Sequence, residues 1–183
     1  MWTKCVGAKK PKRSNCIVDM NLVAPIYNAI VHAPFGAVGV RLNQASTQVL
    51  ELLYLPSHTQ ALAPNCDLAE RVCAQIAAYV ENPSFRFDLP LRPQGTAFQN
   101  KVWHVIAGLE AGQVLTYKQV GQLIACGSPR AVGGACGANP FPLIVPCHRV
   151  VGAHGIGGFA QHDDGFYIGV KRWLLAHEGI VYD

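Results

Sequence analysis

Thr116-Tyr-Lys-Gln-Val-Gly-Gln-Leu-Ile-Ala-Cys-Gly-Ser-Pro-Arg-Ala-Val-Gly-Gly-Ala-Cys-Gly137 reads as two short helices joined by a tight turn. Thr116 precedes Gln119 by three positions, a capping box that opens a helix predicted to run through Ile124, where Cys126-Gly127 stops it. Ser128 then supplies an N-cap and Pro129 a first-turn proline for a second helix ending near Cys136. Such a pair is a helix-turn-helix candidate. Its second helix is chemically odd, because Gly133, Gly134 and Gly137 lie among Ala131 and Ala135, and each interior glycine costs roughly 1 kcal/mol of helix stability. Two readings offset that cost. The small residues either pack tightly on a neighbouring helix, or let the backbone approach a narrow DNA minor groove with Arg130 as the leading cation.

The next segment is Asn139-Pro-Phe-Pro-Leu-Ile-Val-Pro-Cys-His-Arg-Val-Val151. Pro140, Pro142 and Pro146 hold the residues before them out of helical geometry, and an Asn before a proline closes a turn with its own amide. The run therefore presents Cys147 on a stiff platform directly after the helix pair. A cysteine in an apolar run is by default an inert core residue. Here His148 adjoins it, and Glu178 is available near the end of a final helix predicted from Val170, Trp173, Leu174 and His177 and stopped by Gly179. Thiol, imidazole and carboxylate are the parts of a nucleophile, its base and the group that orients the base. Neighbouring side chains rarely bond each other directly, so a water is the expected link between the Cys147 sulfur and His148. The separation of cysteine and histidine seen in papain-like proteases is missing.

Upstream, Ala97 to Leu109 carries Phe98, Val102, Val105, Ile106 and Leu109 at helical spacing, and Pro93-Gln-Gly95 marks a boundary. Before that boundary, Ile26–His32, Ala37–Leu42 and Thr47–Leu55 are strand-length runs separated by turn signals, an antiparallel meander. Asp67 then caps a helix with Leu68, Val72, Ile76 and Val80 on one face, and Phe87–Leu91 is an edge-strand candidate because Pro90 bars it from a central place. The expected organisation is a basic flexible tail over 1–20, an N-terminal domain over 21–92 and a C-terminal domain over 93–183. Met20 is a candidate second start.

The 183 residues are 50% hydrophobic and 14% charged, which excludes disordered and low-complexity classes. No run approaches the ~18 apolar residues of a membrane span, and no apolar segment follows the basic N-terminus as a signal peptide requires. The expectation is a cytoplasmic protein whose cysteines are reduced, with no membrane partner; no pair is spaced C-x-x-C. Of the net charge of +4, all resides in residues 1–20, with five basic side chains against Asp19. The stretch from Arg92 to Val151 has five basic residues against Glu110 alone, a mild positive stripe compatible with a phosphate backbone.

Pro146-Cys-His-Arg-Val150, with Asn139-Pro140 and Arg130-Ala-Val-Gly133 before it, resembles the active-site region of the O6-alkylguanine-DNA alkyltransferases, the methylated-DNA protein-cysteine methyltransferases. Gly95–Gln99, Val102-Trp103, Thr116-Tyr117, Lys171, Leu174-Leu175 and Glu178-Gly179 extend the likeness over the C-terminal half. The resemblance implies an α+β fold: a ribonuclease-H-like antiparallel sheet with helices, followed by a helical winged-helix-like domain with the helix-turn-helix. It implies that Cys147 accepts the alkyl group irreversibly and once, His148 relays its proton through water, Glu178 holds the imidazole, Tyr117 donates toward the guanine ring nitrogen, and Asn139 braces the loop. On the same resemblance Arg130 would fill the gap left by the flipped nucleotide, Thr116, Tyr117, Ala131, Gly133, Gly134 and Ala135 would meet DNA, and Cys136, Val150 and Phe159 would line the base pocket. The implied partner is double-stranded DNA bound through its minor groove by a monomer, carrying flipped O6-alkylguanine, with O4-alkylthymine as a second candidate lesion.

Two departures stand out. The turn before Arg130 is about two residues shorter than the family pattern, and the loop Gly155-Ile-Gly-Gly-Phe-Ala-Gln-His-Asp-Asp-Gly165 is longer, with Phe159 where Tyr is usual. No cofactor is implied and no metal site is expected. Some relatives bind zinc N-terminally, but Cys5, Cys16, His32 and His58 are irregularly spaced and read as ordinary side chains, as do His104, His154, His162 and His177. Cys66, Cys73 and Cys126 read as core. The competing function is a helix-turn-helix binder that senses DNA without chemistry, against which the presence of Cys147 counts.

Overall fold

Three largely apolar strands, β1 (Ala29–Ala33), β2 (Gly36–Leu42) and β3 (Val49–Leu55), pair antiparallel in chain order. They belong to a computed structural model that describes residues 27–182. The tail over 1–20, Met20, Cys5, Cys16 and the expected first strand residue Ile26 lie outside the described residues. The β1–β2 turn closes on Gly36, whose φ of +138° is glycine territory and whose absent Cβ would lie 2.6 Å from the Leu55 carbonyl oxygen. The central strand is buried almost throughout, with Val38 and Val40 in the core.

Helix α1 (Asp67–Glu81) buries Ala69, Val72, Ile76 and Tyr79. Its N-cap is Cys66, which makes no side-chain cap bond, so the expected capping by Asp67 is corrected. Asp67 is instead the first helical residue and, with Glu70, puts negative charge on the positive end of the helix dipole. The edge strand expected over Phe87–Leu91 reduces to a single parallel bridge between Val49 and Leu91. Pro90 contributes the only kind of bond it can, accepting from the Val49 amide at 2.8 Å.

In the second half, α2 (Ala97–Ala107) buries Val102, Trp103 and Ile106. The Trp103 indole N–H donates to the Ala135 carbonyl at 2.8 Å, tying α2 to the second helix of the pair. The pair forms as α3 (Tyr117–Leu123) and α4 (Pro129–Gly137), with the Thr116–Gln119 capping box, the Ser128 cap and Pro129 in the first turn. The stop of α3 is corrected: the left-handed residue is Ala125, at φ +55°, and the Cys126 amide folds back to the Gly121 carbonyl at 2.8 Å. A Cβ at Gly121 would lie 2.6 Å from the Cys126 oxygen, so that glycine lets the short turn tuck under the helix. Strand β4 (Leu115–Thr116) pairs in parallel with β5 (Val150–Val151), which brings the segment after Cys147 beside the start of α3. Helix α5 (Gly165–His177) follows, and its chain leaves through Gly179 at φ +83°. Among the described residues the result is a mixed α+β fold with a small antiparallel sheet and five α-helices, none of them long and apolar enough to cross a membrane.

Candidate active site

The loop from Asn139 to Pro146 is held from within. The Asn139 side chain donates to the Val145 carbonyl at 2.7 Å and accepts from the Phe141 amide at 3.0 Å, so one amide spans the proline-stiffened turn. Cys147, His148 and Arg149 then make a buried 3-10 turn. Hydrogen bonding within so short a turn leaves its side chains radiating to different neighbours.

His148 Nε2 lies 2.8 Å from Glu178 Oε1. Arg149 grips the same carboxylate, and the Tyr79 hydroxyl donates to Oε1 at 2.8 Å. Burial pushes the Glu178 carboxyl up, but bonds from His148 and Arg149 and their charges prevail and hold it at about 2. An ionised carboxylate only accepts, so Nε2 carries the proton of the ring. Burial also lowers the His148 pKa, against the opposing pull of Glu178, which favours the neutral ring. A neutral ring protonated at Nε2 keeps the lone pair of Nδ1 free to act as a base. Burial raises the Cys147 thiol pKa, opposed by the Asn139 amide and the Lys171 charge, so the resting pair is thiol and neutral imidazole.

Cys147 lines a cavity of about 560 Å³. Tyr117, Cys136, Phe159, Arg130 and Gly133 share its wall, and the volume lies within the range of small-ligand pockets. The Tyr117 hydroxyl donates to the Gly158 carbonyl at 2.8 Å. Lys171 is fully buried, and its ammonium reaches the carbonyls of Val150, Ile156 and Gly158 at 2.8, 2.7 and 2.9 Å. Burial lowers its pKa to about 8.

Comparison with known proteins joins these features. Residues 97–180 match the family model for the 6-O-methylguanine DNA methyltransferase, DNA binding domain. The methylated-DNA–protein-cysteine methyltransferase of Methanosarcina barkeri is 32% identical over 84% of this chain and 97% of its own length. This chain belongs to the methylated-DNA–protein-cysteine methyltransferase family. The mouse protein of that name is 34% identical over 79% of the chain and 72% of its own length. Among solved structures, Mycobacterium tuberculosis OGT in complex with DNA superposes with a TM-score of 0.66 at 31% identity, covering 82% of this chain and 91% of that one.

Within this methyltransferase-family chain, the cavity brings together Cys147, Tyr117, Arg130, Gly133, Gly134, Cys136 and Phe159. His148 and Glu178 are buried in the protein interior and do not line the cavity. Val150 is elsewhere: it is fully buried, paired with Leu115, and offers its carbonyl to Lys171 instead of lining the cavity. Ala135 is corrected as a DNA-facing residue, because helical periodicity turns it into the core beside Val132 and Cys136 while Arg130, Ala131 and Gly134 are exposed. The Thr116 hydroxyl is spent on the capping box.

The choice between packing and open approach for the glycines of α4 has separate answers. A Cβ at Gly137 would meet Gln161 Cγ at 2.7 Å, so that glycine is needed for packing. At Gly134 nothing lies within 4 Å, and at Gly133 only the Tyr117 ring comes near, at 3.8 Å. Sequence reasoning missed the buried roles of Lys171, Arg149 and Tyr79, and the place of Gln161, His162 and Asp163 on the cavity wall. His162 is exposed and stacks on Tyr167, and His177, on a face of α5, bonds the Tyr79 carbonyl. Cys126 is half-buried at the α3–α4 turn, outside the core.

Proposed function

We propose that this chain repairs DNA directly, by moving the alkyl group of O6-alkylguanine to the sulfur of its own Cys147. The observation that carries this reading is a buried thiol opening into a base-sized cavity, backed by an imidazole whose far nitrogen is fixed on an ionised carboxylate. The names of the relatives, methylated-DNA–protein-cysteine methyltransferases, and the DNA complex of the Mycobacterium tuberculosis protein support the same reaction. In this reading residues 21–92 form a ribonuclease-H-like domain and 93–183 a winged-helix-like one, acting as a cytoplasmic monomer that needs no cofactor.

An O6-alkyl carbon inside a duplex is out of reach of a buried sulfur, so the nucleotide leaves the stack at a cost of a few kcal/mol. The exposed face of α4 enters the minor groove, and Arg130 fills the space the base vacates. Cys147 gives its proton through water to His148 Nδ1, and the imidazolium is stabilised by Glu178. The thiolate attacks the alkyl carbon as the carbon–oxygen bond to guanine breaks, and Tyr117 donates to the ring nitrogen where charge builds. Because Gly158 also accepts from Lys171, Tyr117 can release that carbonyl without stranding it. The product thioether is not a substrate for thiol–disulfide exchange, so each molecule acts once. O4-alkylthymine is a second candidate lesion.

The test is intact mass after incubation with duplex DNA carrying O6-methylguanine, followed by peptide mapping. One methyl group on Cys147, absent in Cys147→Ser, is the expected result. DNA binding with unchanged protein mass and unrepaired guanine would favour a non-catalytic sensor.

A further inference from the structure

Among the described residues, the buried side-chain polar atoms left without a hydrogen-bond partner are His148 Nδ1 and the Tyr54 hydroxyl oxygen. A buried polar group stays unpaired only at a cost, so each calls for a physical account. The first is the lone pair assigned above to the proton relay. The second comes from the opposite half of the chain, on β3.

Tyr54 is 6% exposed and its ring sits 5.6 Å from that of Phe159, on the wall of the Cys147 cavity. Phe35 packs on the ring from another side at 5.7 Å. Two residues back on the same face of β3, the Leu52 amide donates to the Pro140 carbonyl at 2.9 Å, which fastens the strand to the active-site loop. The phenol is thus fixed by two rings and by its strand. The charged or titratable groups acting on it are Cys147, Tyr79 and Glu178, and burial with those neighbours pushes its pKa far up, so it is a permanent donor.

We propose that Tyr54 is a positioning residue of the alkyl-transfer site: its hydroxyl and His148 Nδ1 hold one buried water between them, aligned on the Cys147 sulfur. This rests on the function proposed above. The water accepts from the phenol and from the thiol, and donates to Nδ1. When the base is in place the thiol proton passes to the water as the water's own proton passes to Nδ1, leaving thiolate and imidazolium with the water unchanged. The phenol keeps its proton throughout. In this way the N-terminal sheet takes part in the chemistry of the C-terminal half.

The test uses the full chain and Tyr54→Phe, which keeps both ring contacts and removes only the oxygen. The expected result is a fall in the single-turnover transfer rate of roughly tenfold, the order of one hydrogen bond. Affinity for unmodified duplex stays unchanged. The pH midpoint for alkylation of Cys147 by iodoacetamide, read by peptide mapping, moves upward, which loss of packing alone would not produce. A variant with wild-type transfer rate and an unmoved midpoint overturns the proposal. Because the iodoacetamide titration needs no DNA, a wild-type protein that takes no methyl group would refute the repair function and leave the role of Tyr54 still decidable.

Discussion

Glu178 grips Arg149 with both carboxylate oxygens: Arg149 Nε donates to Oε2 at 2.9 Å and Nη2 to Oε1 at 2.8 Å. Both side chains are nearly or wholly buried, and Arg149 also reaches the Leu109 carbonyl. Removing one member of such a pair strands a buried charge. Glu178→Ala is expected to destabilise the fold by about 3–5 kcal/mol in urea unfolding, whether or not DNA is present. A loss within experimental error would mean that Arg149 finds another acceptor.

The same carboxyl predicts an acid limit. Its folded pKa of about 2 lies below the ordinary 4.5, so the unfolded chain binds its proton first as pH falls. Its stabilisation is full above 4.5 and is lost progressively as the pH drops from there toward 2. Melting temperature against pH should therefore fall less steeply in that window for Glu178→Gln than for the wild type. Parallel curves would assign the acid sensitivity to other groups.

Lys171 is the buried cation that holds the post-cysteine loop, through the carbonyls of Val150, Ile156 and Gly158. Lys171→Met keeps the length of the stem and removes the donors. Gly158 keeps the Tyr117 hydroxyl, whereas Val150 and Ile156 lose the lysine. The expected destabilisation is about 2–6 kcal/mol, from two stranded acceptors at about 1–3 kcal/mol each, measured by urea denaturation. An unchanged unfolding free energy would show that the carbonyls do not depend on this side chain.

What the sequence makes legible follows the range of the forces involved. Thr116, Gln119, Ser128 and Pro129 act on their own helix ends, and the helix pair forms where those local signals place it. The meander is equally local, because turn residues between strand-length apolar runs suffice to pair neighbouring strands. The chemistry around Cys147 is legible as a cluster of types, but not as wiring. Tyr79 and Glu178 are far apart in the chain, and nothing near Tyr79 marks it as a hydrogen-bond donor to a buried carboxylate. Asp67 has the composition of a cap, yet the helix begins one residue earlier because Cys66 is already extended at its own φ and ψ.

Arg130 is exposed at the mouth of the cavity, on the leading turn of α4. If it fills the space of an extruded nucleotide, its value appears only with a stacked duplex. Arg130→Ala is expected to slow transfer from double-stranded O6-methylguanine DNA by at least about tenfold, a loss that reflects part of the unstacking cost of a few kcal/mol. Reaction with the free base O6-methylguanine should be unaffected. Equal losses on the two substrates would place the arginine in the chemistry instead of in flipping.

Gly134 separates the demands of folding from those of binding. Its absent Cβ would meet nothing within 4 Å, and the position is exposed on α4. An alanine there fits the free protein and raises helix propensity, so Gly134→Ala should stabilise the fold by up to about 1 kcal/mol. Its added methyl group would, however, stand between the helix backbone and a narrow groove. The expected pairing is a higher melting temperature with a weaker affinity for duplex DNA, read by calorimetry and by fluorescence anisotropy on the same preparation. Gly137→Ala supplies the contrast, since its Cβ would press on Gln161 at 2.7 Å and should therefore lower stability. If Gly134→Ala bound duplex as tightly as the wild type, the exposed glycine face would not be where α4 meets DNA.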